Sequence, residues 1–305
     1  MKKISLIFFL LLTVASIYAQ QKVNHIKFKS PAAFKAFLQR KTTPYPLLSA
    51  HRGGPMPGYP ENCIETFENA ARLQPVIIEF DVALSKDSAL VIMHDDRLDR
   101  TSTGKGLVSD YTLAELQRYR LKDNNGRVTD FRIPTLDQVL QWGKGKVLFT
   151  IDLKKGVPYS KIIASIRRNR AEDRSIVITY NAGQAAELHR LAPDLMISAS
   201  VGREEDLDRL NNMGVPDNRI VAFTGTAAKD KTLYDFLHSR GITTIMGTMG
   251  NIDNQAKARP GRPVYGRLLE LGVDVLSTDE LILAGKEVDA FRAKSKLTLK
   301  ELKVR

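Results

Sequence analysis

The sequence predicts an α/β chain folded as a (β/α)8 barrel. Three observations carry this expectation. Eight short apolar, β-branched segments begin near residues 47, 76, 147, 176, 196, 219, 242 and 273. Segments of helical period separate most of them, as parallel strands joined by crossovers require. Charged and imidazole side chains gather where the first three strands end, which is where such barrels carry their chemistry.

Met1-Lys2-Lys3 gives a positive start, residues 4–14 are almost wholly apolar, and Ala19 offers a small residue for cleavage. Residues 1–19 therefore read as a secretory signal, too short to favour a membrane span, and the chain is expected to be exported, periplasmic or secreted. An uncleaved anchor is the alternative; no stable anchor is expected of the cleaved chain. The one cysteine, Cys63, excludes an internal disulfide and lies far from the cleavage point; it reads as a small buried residue. The chain carries 46 basic against 34 acidic residues, a net charge of +12 that falls to +10 without Lys2 and Lys3. That excess favours anionic substrates or surfaces, or serves solubility. No interleaving of aromatic and basic residues marks a nucleic-acid platform.

Residues 20–46 form an N-terminal segment. In it Ser30-Pro31 reads as a helix cap followed by proline at the first turn, with Phe34, Phe37 and Leu38 facing the barrel bottom. The first strand, from Leu47, runs into His51-Arg52-Gly53-Gly54, and Pro60-Glu61-Asn62 opens a helix with Asn62 as cap. The second strand begins Val76-Ile77-Ile78 and then admits Glu79 and Asp81. Alternation puts both acids on one face, roughly 7 Å apart. The gap from Val82 to Ala89 is too short for a parallel crossover, so the next apolar run returns as an antiparallel arm. With its turn near Asp87, residue 93 falls opposite 81 and residue 94 opposite 80, which brings His94 beside the two acids.

The segment 83–133 is a small insertion, hairpin plus helices, after the second strand. Thr112 and Glu115 form a capping box for a helix running to Tyr119, Asp123 to Gly126 is a turn, and Pro134-Thr135 opens another helix. The third strand ends in Asp152-Leu153-Lys154. Strands follow at 176–180, 196–200, 219–223, 242–246 and 274–277. Helices lie near 160–170, 183–192, 203–213, 230–240, 264–271 and 279–292. The stretch 247–263 is irregular, an ordinary polar loop or a lid on the active face. The barrel domain spans 47–292, and 293–305 is a basic tail, solvated or helical. Trp142 belongs to helix packing.

Two acids on one strand face repel unless a cation lies between them. Glu79, Asp81 and Asp152 make an all-oxygen set for a hard divalent ion, Ca²⁺ or Mg²⁺. Arg52 and Lys154 suit phosphate oxygens. His51 and His94 can divide the proton work, one as base and one as acid. The natural ligand of this set is a phosphodiester.

His51-Arg52-Gly53, Pro60-Glu61-Asn62, Glu79-Phe80-Asp81-Val82, His94-Asp95, Leu98-Asp99-Arg100-Thr101, Pro134-Thr135-Leu136, Asp152-Leu153-Lys154 and Thr278-Asp279 together give a sequence that resembles the glycerophosphodiester phosphodiesterases from residue 48 to residue 278. The resemblance implies a TIM barrel that hydrolyses glycerophosphodiesters to glycerol 3-phosphate and an alcohol. It implies Glu79 and Asp81 as metal ligands, His51 and His94 as the acid–base pair, and Arg52 and Lys154 as phosphate contacts. It also places Glu61 near the metal, as a ligand or beside one. Two positions depart from the family pattern. Asp152 stands where the family usually has Glu, and Ile245-Met246-Gly247-Thr248 replaces a Trp-Thr segment on the seventh strand. The rival readings are a lysophospholipase D-like or phospholipase C-like enzyme on lipid diesters, a glycosidase with paired carboxylates, and a non-catalytic phosphodiester binder. The glycosidase leaves the two histidines and Lys154 unexplained.

Overall fold

The computed structural model describes residues 24–42 and 44–304. The predicted leader lies outside them. Eight parallel strands follow one another around a closed barrel: β1 Leu47–Ala50, β2 Val76–Leu84, β3 Leu148–Leu153, β4 Ser175–Thr179, β5 Met196–Ser200, β6 Ile220–Phe223, β7 Thr243–Gly247 and β8 Val275–Thr278. β8 pairs with β1 through Thr278 and Ala50, and this closes the ring. All eight predicted strands are present, their ends shifted by a residue or two.

The period-two alternation of these strands builds the site in layers. Leu47, Ile77, Leu148, Ile176, Met196, Val221, Ile245 and Val275 form an apolar floor inside the barrel. The helix Pro31–Leu38 plugs it from below with Phe34 and Leu38, and its cap is as expected, with Ser30 accepting from the Ala33 N–H. Two residues further along β1, β2, β3 and β5 are Ser49, Glu79, Thr150 and Ser198, and two further stand His51, Asp81, Asp152 and Ser200; all eight line one cavity. The intervening residues Leu48, Ile78, Phe80, Phe149, Ile151 and Ile197 face outward into the helical shell. A one-residue slip of β2 would exchange Glu79 and Asp81 for Ile78 and Phe80, so shell burial holds the acids inward.

The arm is antiparallel, with Val82 opposite Ile92 and Leu84 opposite Leu90. The Met93 N–H donates to the Asp81 carbonyl at 3.0 Å, which continues the register and carries His94 back to the rim. The insertion has its own small core around Cys63, Val91, Met93, Leu98 and Leu116. Cys63 is fully buried, and burial pushes its thiol up to about 12, far from a nucleophile. Trp142 packs on Phe67 at 5.9 Å between ring centres, as expected of a helix packing residue.

The structure departs from the sequence reading in four places. Asn62 does not cap the helix Ile64–Leu73; that position falls to Cys63, and Asn62 turns inward with φ of 61°. The helix after Thr112 stops at Leu116, where the chain turns toward the strand Arg120–Lys122 of a two-stranded ribbon. The irregular 247–263 stretch contains a helix, Asn251–Ala258, tied down by buried Asp253. The C-terminal residues Leu302–Val304 are no solvated tail: they pair antiparallel with Asn24–Ile26. Long-range pairing and one buried carboxylate hold these last two elements in place. Among the described residues, no helix is long and apolar enough to cross a membrane.

Candidate active site

The site begins with three buried carboxylates. Oxygens of Glu79, Asp81 and Asp152 lie within 4.8 Å of one another, and side-by-side pairing of Asp81 with Asp152 in β2 and β3 sets that spacing. Exposure is 7 % for Glu79, 2 % for Asp81 and 5 % for Asp152, so their mutual repulsion is poorly screened. The three are not served alike. Asp81 accepts from the Asn62 amide at 2.7 Å, its own N–H donates to the Asn62 side-chain oxygen at 3.1 Å, and Lys154 Nζ lies 2.5 Å away. Burial pushes its pKa up, but Lys154 and Asn62 outweigh this and hold it below the usual carboxylate range. Asp152 accepts from Lys154 at 2.8 Å and from the Tyr180 hydroxyl at 2.7 Å. Glu79 stands two residues before Asp81 on β2, one layer further into the barrel, and accepts a hydrogen bond from the Arg52 N–H at 2.6 Å. Burial, reinforced by Asp81, pushes Glu79 up to about 8. A donor set of carboxylate oxygens in which one member is this reluctant to ionise fits a hard divalent cation. Glu79, Asp81 and Asp152 would hold it.

The turn after β1 supplies the first histidine and the arginine. Arg52 and Gly53 both adopt positive φ, 50° and 86°. A Cβ on Gly53 would stand 2.3 Å from the Phe67 ring, so only glycine allows the turn to pass over the helix that follows. The turn aims the Arg52 N–H at Glu79 and sends its guanidinium between Glu61, at 3.2 and 3.3 Å, and His94 Nε2, at 2.8 Å. Because a guanidinium only donates, His94 Nε2 accepts, and Nδ1–H donates to Asp95 Oδ1 at 2.7 Å. His51 likewise places Nδ1 2.7 Å from Asp279 Oδ1, leaving Nε2 for the cavity. Burial lowers the His51 pKa, but the Asp279 hydrogen bond and the nearby carboxylates more than compensate and hold it above the ordinary imidazole value.

The structure thus brings His51, Arg52, Glu79, Asp81, His94, Asp152 and Lys154 to one rim, where all but Arg52 line a cavity of about 240 Å³. Glu61 is buried nearby but is outside the carboxylate cluster. Its two oxygens are gripped by Arg100 at 2.8 Å each and by Arg52, so it acts on the site by orienting Arg52. Lys154 sits on two carboxylates, at the cavity wall. Ile178, Phe223, Ile245 and Met249 give the cavity an apolar side.

Sequence reasoning passed over five supporting residues. Asp95 and Asp279 orient the two histidines; both stood in the quoted motifs, one step from a residue already singled out. Arg100 links Asp95 to Glu61. Asn62 reads as a helix cap in sequence but bonds Asp81. Tyr180, one residue past β4, reaches across to Asp152 with no local signal at all. Behind Asp279 stands Asp253, which accepts from the Asp279 N–H at 2.9 Å and from the Thr278 and Tyr265 hydroxyls at 3.0 and 2.9 Å. Asn62→Ala is expected to raise the cation concentration for half-maximal activity about tenfold or more, since the removed groups hold a candidate ligand in place; titrating activity against Mg²⁺ and Ca²⁺ checks this.

Acids, imidazoles and phosphate-seeking cations on the C-terminal rim of an eight-stranded barrel define an enzyme of the phosphoric diester hydrolase class. The sequence profile of the glycerophosphoryl diester phosphodiesterase family matches residues 51–282. The chain belongs to that family. It is 35% identical over 158 residues to the glycerophosphodiester phosphodiesterase of Caldanaerobacter subterraneus subsp. tengcongensis, a match covering 50% of this chain and 65% of that enzyme. It is 35% identical over 244 residues to the uncharacterised Bacillus subtilis protein YqiK, covering 76% and 94%. In structure it is similar to a glycerophosphoryl diester phosphodiesterase from Parabacteroides distasonis, with a TM-score of 0.82, 31% identity, and 93% and 100% of the two chains covered. An Oleispira antarctica phosphodiesterase solved with its product sn-glycerol-3-phosphate shares the fold, with a TM-score of 0.64, 22% identity, and 80% and 97% covered.

Proposed function

We propose that this chain is an exported, metal-dependent phosphodiesterase that hydrolyses glycerophosphodiesters to glycerol 3-phosphate and an alcohol. The observation that carries the reading is the convergence of His51 and His94 on the cavity that holds the Glu79–Asp81–Asp152 cluster. The family membership and the glycerol 3-phosphate bound to the Oleispira relative support it. The periplasmic or secreted location rests on the apolar N-terminal stretch.

Glu79, Asp81 and Asp152 would hold a divalent cation, which when bound would supply charge neutralisation and polarisation at the phosphoryl group. The chain's own residues do the rest. The Asp95 hydrogen bond on Nδ1 presents His94 Nε2 as the acceptor nitrogen, which here takes a hydrogen bond from the Arg52 guanidinium. This suits His94 to take the proton of the attacking oxygen. His51, braced by the Asp279 carboxylate as an imidazolium would be, suits protonation of the departing alcohol oxygen. One phosphorus–oxygen bond forms as the bond to the alcohol breaks, with water supplying the proton and hydroxyl of the products. Lys154 and Arg52 supply positive charge toward the phosphate.

The test is a panel of glycerophospho-alcohols and lysolipids, assayed after chelation and after adding back each metal. Release of glycerol 3-phosphate is the expected result. A cyclic phosphate product would replace hydrolysis by a phospholipase C-like transfer. The apolar wall of Ile178, Phe223, Ile245 and Met249 favours lysolipids as a second substrate class, the lysophospholipase D-like reading.

A further inference from the structure

A second cavity, of about 390 Å³, opens on the same face of the barrel beside the catalytic one. The loop after β6 and the segment after β7 build it, so it lies among the strand-end loops. Its wall carries three arginines, Arg259, Arg262 and Arg267, and no carboxylate. Among the described residues, none of the three guanidinia makes an ion pair or a side-chain hydrogen bond. Lys257, two residues before Arg259, pairs with Glu280 at 2.9 Å, whereas the three arginines are left to the cavity and solvent.

The cavity lining also has apolar members. Leu268 is buried, and Ile252 and Val264 are half-buried. An apolar wall lowers the local dielectric and lengthens the reach of the guanidinium charges. Three exposed arginines lining one pocket with apolar neighbours match a phosphate group carrying organic substituents, because each guanidinium can offer two N–H donors to phosphate oxygens. The cavity also touches the catalytic one through a thin wall. At Gly247 a Cβ would meet Thr226 at 3.0 Å, Met249 at 3.3 Å and Phe223 at 3.5 Å. Thr226 lines the second cavity, while Met249 and Phe223 line the first.

We propose that Arg259, Arg262 and Arg267 form a second phosphate-recognition site on the barrel rim, separate from the catalytic centre. The phosphate it binds belongs either to an anionic lipid headgroup at a membrane surface or to a soluble phosphate compound. A headgroup held here would set the catalytic mouth against the lipid surface.

The test compares the full chain with the triple variant Arg259→Gln/Arg262→Gln/Arg267→Gln in two arms, both in EDTA so that the carboxylate cluster is not loaded. One arm measures inorganic phosphate binding by calorimetry. The other measures cosedimentation with phosphatidylcholine vesicles, with and without phosphatidylglycerol. The expected result is binding by the wild-type chain that weakens at least tenfold in the triple variant and as salt rises. A Lys substitution at all three positions should restore only part of it, because charge returns without the fork. Loss confined to the vesicle arm assigns the site to lipid headgroups, and loss in the phosphate arm assigns it to soluble phosphate. Equal binding by wild type and variant in both arms, or no binding by the wild type in either, overturns the proposal. Both arms are read without turnover, so the outcome is independent of whether the chain hydrolyses glycerophosphodiesters.

Discussion

His94→Ala is expected to lower kcat by about 10²–10⁴, the usual contribution of a positioned proton-transfer group. KM and the cation requirement should stay close to wild type, because His94 is not one of the three clustered carboxylates and bonds to Arg52 and Asp95. The side chain is a third exposed, so water can satisfy the partners it leaves and the fold should survive. Release of glycerol 3-phosphate at saturating substrate and metal is the measurement. A variant that keeps the wild-type rate would remove His94 from the reaction. His51→Ala tests the other half of the pair by the same readout. If His51 serves the leaving oxygen, its loss should be mildest for diesters whose alcohols leave most readily.

Glu79→Gln is expected to have opposite effects on activity and on stability. Removing one of three carboxylate donors should raise the cation requirement by a factor of ten to a hundred or more, seen when activity is titrated against Mg²⁺ or Ca²⁺. In chelator the same substitution should stabilise the protein at alkaline pH. Burial first, and Asp81 next, push Glu79 up to about 8 from 4.5. A carboxyl whose folded pKa is raised keeps its proton in the native state after the unfolded chain has lost it. Stability therefore falls as pH rises from about 4.5 toward 8. Melting of the wild-type protein in EDTA should show that decline, and Glu79→Gln should flatten it. Added divalent cation should raise the wild-type Tm more at pH 8 than at pH 5, because the ion favours the ionised carboxylates. A wild-type Tm that is independent of pH over this range in EDTA would contradict the burial of an unmatched acid at Glu79.

Much of this molecule is legible in its residues taken alone. The strands are apolar, β-branched runs, each buried on both faces, so composition marks them without alternation. The arm register follows from counting alone, because a short hairpin leaves one way to place His94 against Asp81. The carboxylates and histidines could be placed on one rim because barrel strands run parallel and end on the same side. Where the reading failed, the deciding partner was distant in the chain. Asn62 looks like a helix cap, but its partner is Asp81, 19 residues away. In the helix Asn251–Ala258, Asp253 looks like an ordinary polar position, but it is buried and anchors the helix to Thr278 and Asp279. Residues 24–26 and 302–304 pair across almost the whole described chain.

Local composition fixes the barrel, its eight strands and the set of groups that meet at its mouth, because these depend on short apolar runs and on which residues end each strand. Tertiary structure alone decided how each group is held: the Asp95 and Asp279 braces on the histidines, the Glu61–Arg52–His94 chain, the Tyr180 contact to Asp152 and the three arginines around the second cavity. Most of these groups come from segments whose separation in sequence carries no period, and the closed barrel is what brings pairs such as His51–Asp279 and Tyr180–Asp152 within hydrogen-bonding distance.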